Sequence, residues 1–427
     1  MEREIYNTYV ALLKQELVPA LGCTEPIAIA YASAKARQVL GCMPEKVQLS
    51  CSGSLIKNVK GVTVPNSGGL KGIEVAAMLG IVGGDEDREL EVLQSITPKH
   101  IELARELVGQ GICHYNLAEN PENLYILVEV AGSGHTAQVE IKSAHTNITR
   151  IVRDGQILFL KEEEQSEASS SQKQPDKNLL NVRDILTFAD EVDIAEIEPT
   201  LDRQIAFNTA IAQEGLTNDY GARVGKNLLK HGDGNDVRLR AKAMAAAGSD
   251  ARMSGCAMPV VINSGSGNQG MTLSLPIIEY AKEMGVSHEQ MLRALVVGNL
   301  IALHQKRYIG ALSAFCGAVC AGTAAGAGIA YLHGAGYDEI CRTITNTLGA
   351  VGGIVCDGAK ASCAAKISAS VEAAIMGWQM GRDGDTFTDG EGLVMDNVEH
   401  TIESVMRMGR EGMKSTNSEI LNIMVGK

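Results

Sequence analysis

The apolar positions of this chain change period several times before residue 160. Spacings of three and four, the helical period, cover residues 2–18, 26–40, 71–81 and 97–110. Between and after them come short β-rich runs. KVQLSCSG, from Lys46, reads as one strand; LYILVEVAG, TAQVEIK, ITRIV and QILFL read as four more. Asp154-Gly155 separates the last two, and Asp-Gly between apolar runs predicts a tight hairpin. Strands clustered in this way predict an antiparallel meander packed on helices, not a strict alternation of strand and helix.

Residues 161–178, KEEEQSEASSSQKQPDKN, hold no apolar residue larger than alanine and read as a polar linker ending near residue 180. Beyond it the period is almost wholly helical, as in VRDILTFADEV, LDRQIAFNTAIAQEGL, NDVRLRAKAMAAAGSDARMSG and HEQMLRALVVGNLIALHQKR. The expectation is an α+β chain. A mixed α/β domain with antiparallel strands spans 1–180, and a mostly α-helical domain rich in small residues spans 181–427. From Ile309 to Tyr331 no residue is charged, a length that would cross a bilayer. Gly, Ala, Ser and Cys dominate that stretch, so a buried core helix is expected and no membrane span.

Composition narrows the function. The chain has 427 residues, 45% hydrophobic and 21% charged, values of a globular protein with a substantial core. Net charge is −13 and no basic stripe with interleaved aromatics appears, which argues against nucleic acid as a partner. MEREIYNTYVALLKQEL at the N-terminus lacks the basic start and apolar core of a signal peptide, so a cytoplasmic location is expected. Thiols stay reduced there, and the ten cysteines are not accounted for by disulfides.

Three of those cysteines lie in settings rich in Gly and Ala: Cys316 in AFCGAVCAG, Cys356 and Cys363 in GGIVCDGAKASC. The room around them suits something larger than a zinc ion, although zinc stays open. The spacing is neither a C-x-x-C module nor a ferredoxin run. An iron-sulfur cluster held by three thiolates would keep one iron open as a Lewis acid. Cys320, four residues after Cys316, is read as core, as is Cys256.

Elsewhere, Cys23 precedes Pro26 at a predicted helix start. It reads either as a reactive thiolate with lowered pKa or as a buried thiol. GSGNQG at 265–270 matches a dinucleotide fingerprint, but no run of alternating strands and helices surrounds it, and Pro276 is expected to interrupt the helix that would follow. An anion-binding turn fits as well. VPNSGGLKG at 64–72 offers similar backbone donors or is an ordinary turn. His135 and His145, near strand ends, are candidate acids or bases, or polar turn residues.

Taken together and in this order, GCTEP, NSGGLKG, GSGNQG, FCGAV and VCDGAKASC resemble the L-cysteine desulfidases and the wider group of iron-sulfur L-serine dehydratases with their uncharacterised relatives. The resemblance spans most of the chain. It implies a 4Fe-4S cluster on Cys316, Cys356 and Cys363 with one open iron, and no pyridoxal phosphate. It implies β-elimination of L-cysteine to pyruvate, ammonia and hydrogen sulfide. Cys23 would be the base or would cap the cluster, with Glu25, His135 and His145 as further catalytic candidates. Thr24, Asn66, Ser67, Gly68, Ser266, Gly267 and Asn268 would bind a small amino acid. The dehydratases carry a serine- and histidine-containing motif where this chain has GCTEP, which favours the desulfidase branch. L-serine dehydration is the alternative, and a non-catalytic amino-acid-binding protein is a second. A homodimer is one open option for the assembly.

Overall fold

The short polar breaks in the pattern divide the chain into sixteen α-helices and eight strands among the described residues. The computed structural model describes residues 1–119, 122–161, 175–310 and 312–426. Most of the predicted linker, residues 162–174, lies outside them. The first part runs α1 (Arg3–Glu16), β1 (Pro19–Leu21), α2 (Thr24–Leu40), β2 (Lys46–Cys51), α3 (Gly53–Val59), α4 (Ile73–Gly83) and α5 (Pro98–Gly109). It continues with β3 (Cys113–Leu117), β4 (Tyr125–Gly132), β5 (His135–Lys142), β6 (Ile148–Arg153) and β7 (Gln156–Leu160). The second part runs α6 (Val182–Glu191), α7 (Glu198–Thr217), α8 (Val224–His231), α9 (Val237–Met253), β8 (Pro259–Val261) and α10 (Gly267–Met284). It ends with α11 (His288–Lys306), α12 (Gly317–Leu332), α13 (Tyr337–Val351), α14 (Cys363–Asp383), α15 (Val398–Arg407) and α16 (Lys414–Val425). This is an α+β fold whose C-terminal part is helical.

Six strands form one sheet in the order β3-β2-β4-β5-β6-β7. From β4 onward it is the predicted antiparallel meander, with the β6–β7 hairpin turning at Asp154 and Gly155. The sheet is mixed, however, because β3 lies parallel to β2. Helices α3 to α5 carry the chain across between them, and a crossover returns a strand in parallel. Alternation along β4 buries Ile126, Val128 and Val130, and α2 packs on that side of the sheet.

In the second part α12 is buried nearly end to end and is packed by α10, α11, α13 and α14. Its Ala and Gly residues let those neighbours approach closely. The uncharged stretch is thus a core helix, and no helix among the described residues is long and apolar enough to cross a membrane. One expectation fails: Pro276 sits inside α10, which runs on to Met284. Burial along most of that helix supplies the packing that offsets a missing backbone bond.

The two parts are laced together. Helix α1 leaves its sequence neighbours: Tyr6 and Tyr9 pack edge-on against Phe188 of α6, and Tyr9 Oη donates to Leu179 O at 2.8 Å. Strand β1 pairs antiparallel with β8, 240 residues further on. At the other end, α16 docks on α3, where Asn417 Nδ2 donates to Ser54 Oγ.

Candidate active site

The β1–β8 ladder is three residues long, so the turns that leave it stay side by side. One leads through Gly22 to Cys23, the N-cap of α2; the other leads through Ser264 and Gly265 to Ser266, the N-cap of α10. Thr24 Oγ1 joins them by donating to Gly265 O at 3.0 Å. Gly22 is required twice over, since its φ is +61° and a Cβ there would overlap the Pro65 ring. Below the second turn lies a buried amide network. Asn208 Nδ2 donates to Val261 O and Ser274 Oγ, Asn263 Nδ2 to Asn299 Oδ1, and Asn299 Nδ2 to Gln204 Oε1. Satisfied buried amides of this kind hold a single arrangement.

The helical part contributes the thiols. Cys316 is the N-cap of α12, and Cys363 opens α14. Cys316 N donates to Ile354 O at 2.9 Å and Cys356 N to Ala314 O, so the two chain segments run side by side at these residues. All three cysteines line one cavity of about 100 Å³, together with Cys23, Glu25, Ser266 and Asn268. That volume exceeds what one ion or one water fills. The three are half-buried, whereas Cys51, Cys113, Cys256 and Cys320 are buried.

Helices α2, α10, α12 and α14 all begin at this cavity, and none has a side-chain cap on its N-cap residue. Their free N–H groups and dipoles favour negative charge there. Three buried cations add to it. Lys57 Nζ donates to Cys356 O at 3.1 Å and Asn417 Oδ1 at 2.8 Å, with Ser313 O further off at 3.4 Å. Lys306 and Arg252 line the cavity, and neither forms an ion pair among the described residues. Burial lowers the pKa of both lysines, opposed by nearby thiols. Cys356 is held below an ordinary thiol by the neighbouring Cys316 thiol and by Lys57, while Cys316 is pushed up by the same neighbour and by burial.

This donor set fits an iron-sulfur cluster better than a single metal ion. The three sulfurs do not all approach within 4.8 Å of one another. Thiolates at zinc, with Zn–S near 2.3 Å, crowd to about 4 Å apart. In a cluster each thiolate bonds a different iron, which spreads them. The cationic surroundings suit the negative charge that three thiolates bring.

Opposite the thiols, Glu25 Oε2 accepts from Cys23 Sγ at 3.0 Å and shares with Gly265 O the one proton of Thr24 Oγ1, 3.1 Å away, while Oε1 accepts from Asn58 Nδ2 at 2.8 Å. Burial pushes the Glu25 carboxyl up, but His145, the Cys23 thiol and Arg252 outweigh it and hold it low. Cys23 departs from the expected lowered pKa. Burial and the Glu25 carboxylate push it well above a free thiol, and these outweigh the helix N-terminus. It is a thiol donating to a carboxylate. His145 is buried beside Gly265 and its Nε2 has no partner among the described residues; burial lowers its pKa, with Glu25 opposing.

The remaining predicted residues lie elsewhere. His135 is exposed at the β4–β5 hairpin and pairs with Asp154 at 2.8 Å. Asn66 Nδ2 donates to Leu93 O and Ser67 Oγ to Leu70 O, so both serve their own loop, and Gly68 is exposed near Ile101. None of these four lines the cavity. Their loop backs the site through the contact of Pro65 with Gly22. GSGNQG does follow a strand and open a helix, but β8 pairs only with β1 in a two-stranded antiparallel sheet, not the parallel sheet of a dinucleotide fold. Sequence reasoning passed over Lys57, Asn58, Arg252 and Lys306. A signal was there for Lys57 and Asn58, polar residues in the apolar helical window SLIKNV, whereas Arg252 and Lys306 have polar neighbours and only the fold buries them.

The serine dehydratase alpha chain family matches residues 87–422, a span that holds the three clustered cysteines but not Cys23. The chain is 51% identical over 422 residues to a UPF0597 protein of Lachnoclostridium phytofermentans, covering 99% of this chain and 100% of that one. It is 51% identical over 429 residues to a UPF0597 protein of Desulfitobacterium hafniense, covering 100% and 99%. A UPF0597 protein of Treponema denticola is 43% identical over 429 residues, covering 100% and 99%. With a match over most of its length, this chain belongs to the serine dehydratase alpha chain family.

Proposed function

We propose that the chain is a lyase that removes the β-substituent of a small α-amino acid, with L-cysteine as substrate and pyruvate, ammonia and hydrogen sulfide as products. One observation carries this reading. Three half-buried thiols from the helical part and the Cys23–Glu25 pair from the other part line the same cavity. Cys316, Cys356 and Cys363 would hold a 4Fe-4S cluster. When bound, such a cluster supplies a Lewis acid at its iron without a protein ligand. The need for reduced thiols fits a cytoplasmic setting.

The chain's own groups supply the rest. Uncapped N–H groups at the start of α10, with Ser266 and Asn268, offer donors to a substrate carboxylate. Glu25 is ionised and already accepts the Cys23 thiol proton. The Cys23 sulfur takes the substrate's Cα proton as its own proton passes to Glu25, so no free thiolate has to form against burial and the Glu25 charge. The step balances: Cys23 ends as a thiol and Glu25 as an acid. The Cα–H electron pair forms the C=C bond while the Cβ–S bond breaks and its electrons leave with sulfur. Aminoacrylate then tautomerises and hydrolyses to pyruvate and ammonia.

The name of the matching family favours a second reading, loss of water from L-serine by the same proton path. Anaerobic reconstitution with iron and sulfide, then pyruvate assays on both amino acids, separates the two. Sulfide and pyruvate in equal amounts from L-cysteine, faster than pyruvate from L-serine, are expected. Faster turnover of L-serine selects the second reading, and no pyruvate from either rejects both.

A further inference from the structure

Arg252 and Lys306 are the cavity-wall cations that no step above uses, and of the two only Arg252 offers a planar fork of donors. It lies near the C-terminal end of α9 and is 2% exposed. Its only side-chain hydrogen bond among the described residues runs from Nη1 to Asn268 Oδ1 at 3.2 Å. Its Nε is buried with no acceptor. Glu25, the carboxylate that Arg252 helps to hold low, is already engaged by Cys23 and Asn58. A guanidinium with a buried, unfilled donor costs free energy unless an acceptor arrives.

What lies beside it sharpens the point. A Cβ on Gly267 would come within 2.5 Å of Arg252 Nε and 3.0 Å of Cζ, so the guanidinium lies directly on the first residue of α10. That helix start has no side-chain cap. The fold has therefore stacked a full positive charge on a partial one, and glycine at 267 is what makes the room. Two like charges brought together in a buried place repel. An anion held in the cavity beside both relieves the repulsion, because Arg252 itself lines that cavity. A planar carboxylate matches the guanidinium fork, which an amide oxygen, being neutral, does not.

We propose that Arg252 is the residue that recognises the substrate's α-carboxylate, so that the site admits free α-amino acids and rejects their amides and decarboxylated amines. This rests on the lyase reading for the identity of the ligand. Gly267 is its structural counterpart, because any side chain there displaces the guanidinium.

The test reads binding without turnover. The anaerobically reconstituted protein is titrated calorimetrically with L-alanine, which has no β-leaving group, and with L-alaninamide. Wild type is expected to bind L-alanine at least about 30-fold more tightly than the amide, the scale set by loss of one partner from a buried charge pair. Arg252→Gln, which removes the charge, is expected to bind both ligands alike, and Arg252→Lys, which keeps the charge without the fork, to retain only part of the preference. Comparable binding of the two ligands by wild type overturns the proposal, whatever the variants do. So does retained preference for L-alanine in a folded Arg252→Gln. If wild type discriminates through Arg252 yet releases pyruvate from no amino acid, the anchor stands and the lyase reading falls.

Discussion

Lys57 ties the α/β part to both cysteine-bearing segments, and replacing it with methionine tests whether that tie holds the site together. Its ammonium is 2% exposed and donates to Cys356 O at 3.1 Å and Asn417 Oδ1 at 2.8 Å. The third contact, Ser313 O at 3.4 Å, is too long to count fully. Two charge-assisted bonds at roughly 1.5–3 kcal/mol each give about 3–6 kcal/mol, and removing a buried ammonium returns part of it. A net local loss of about 3 kcal/mol shifts an opening equilibrium on the order of 100-fold. The amides that report it are Cys316 N–H, bonded to Ile354 O, and Cys356 N–H, bonded to Ala314 O. Hydrogen exchange on the cluster-free protein should show both exchanging about 100-fold faster in Lys57→Met. Amides of β4 and β5, away from this contact, should be unchanged. Equal protection of Cys316 and Cys356 in the variant and wild type would refute the argument.

Other outcomes follow from single residues. Gly22→Ala meets both a left-handed φ and the Pro65 ring, so it should cost about 1–3 kcal/mol and lower the thermal unfolding midpoint. Asp250 is fully buried and burial pushes its carboxyl up to about 6, partly offset by the Gly225 and Val224 amides. A folded value above the unfolded one gives stability that is complete below about pH 4 and lost as pH rises through 6. Asp250→Asn should therefore remove about 2–3 kcal/mol of the wild-type decline between pH 4 and pH 8, read from denaturant midpoints. Cys23→Ser keeps a hydrogen bond to Glu25 but exchanges a thiol for a far weaker acid. It should keep its iron and lose about 100-fold or more in pyruvate formation.

Local chemistry carried much of the fold into the sequence. Asp154-Gly155 announced its hairpin because both residues tolerate the left-handed backbone they adopt. The parallel β2–β3 pair did not show, since three helices separate partners whose pairing is set by packing. Pro276 was misleading for a related reason: burial on all sides outweighs one lost backbone bond. In the site, the cysteines, GCTEP and GSGNQG were visible as oddities of composition. That they share one cavity follows from the β1–β8 ladder and from Cys316 pairing with Ile354, contacts that no local rule contains. His135 opens β5 and His145 lies in the turn that follows it, and only the tertiary fold separates an exposed hairpin residue from one beside Gly265. The Cys23 thiol shows the limit most clearly. A helix N-terminus lowers a thiol's pKa, yet burial and a carboxylate at 3.0 Å reverse the sign.

Cys316, Cys356 and Cys363 act as one ligand set in the proposed site. Iron and acid-labile sulfide per chain, measured after anaerobic reconstitution of wild type and single Cys→Ala variants, test this directly. Wild type should hold about four irons per chain, as a 4Fe-4S cluster requires. Each of Cys316→Ala, Cys356→Ala and Cys363→Ala should lose most of them, while Cys320→Ala, altered in the buried face of the same α12, should keep them. Full iron in Cys356→Ala, or equal loss in Cys320→Ala, would contradict the claim.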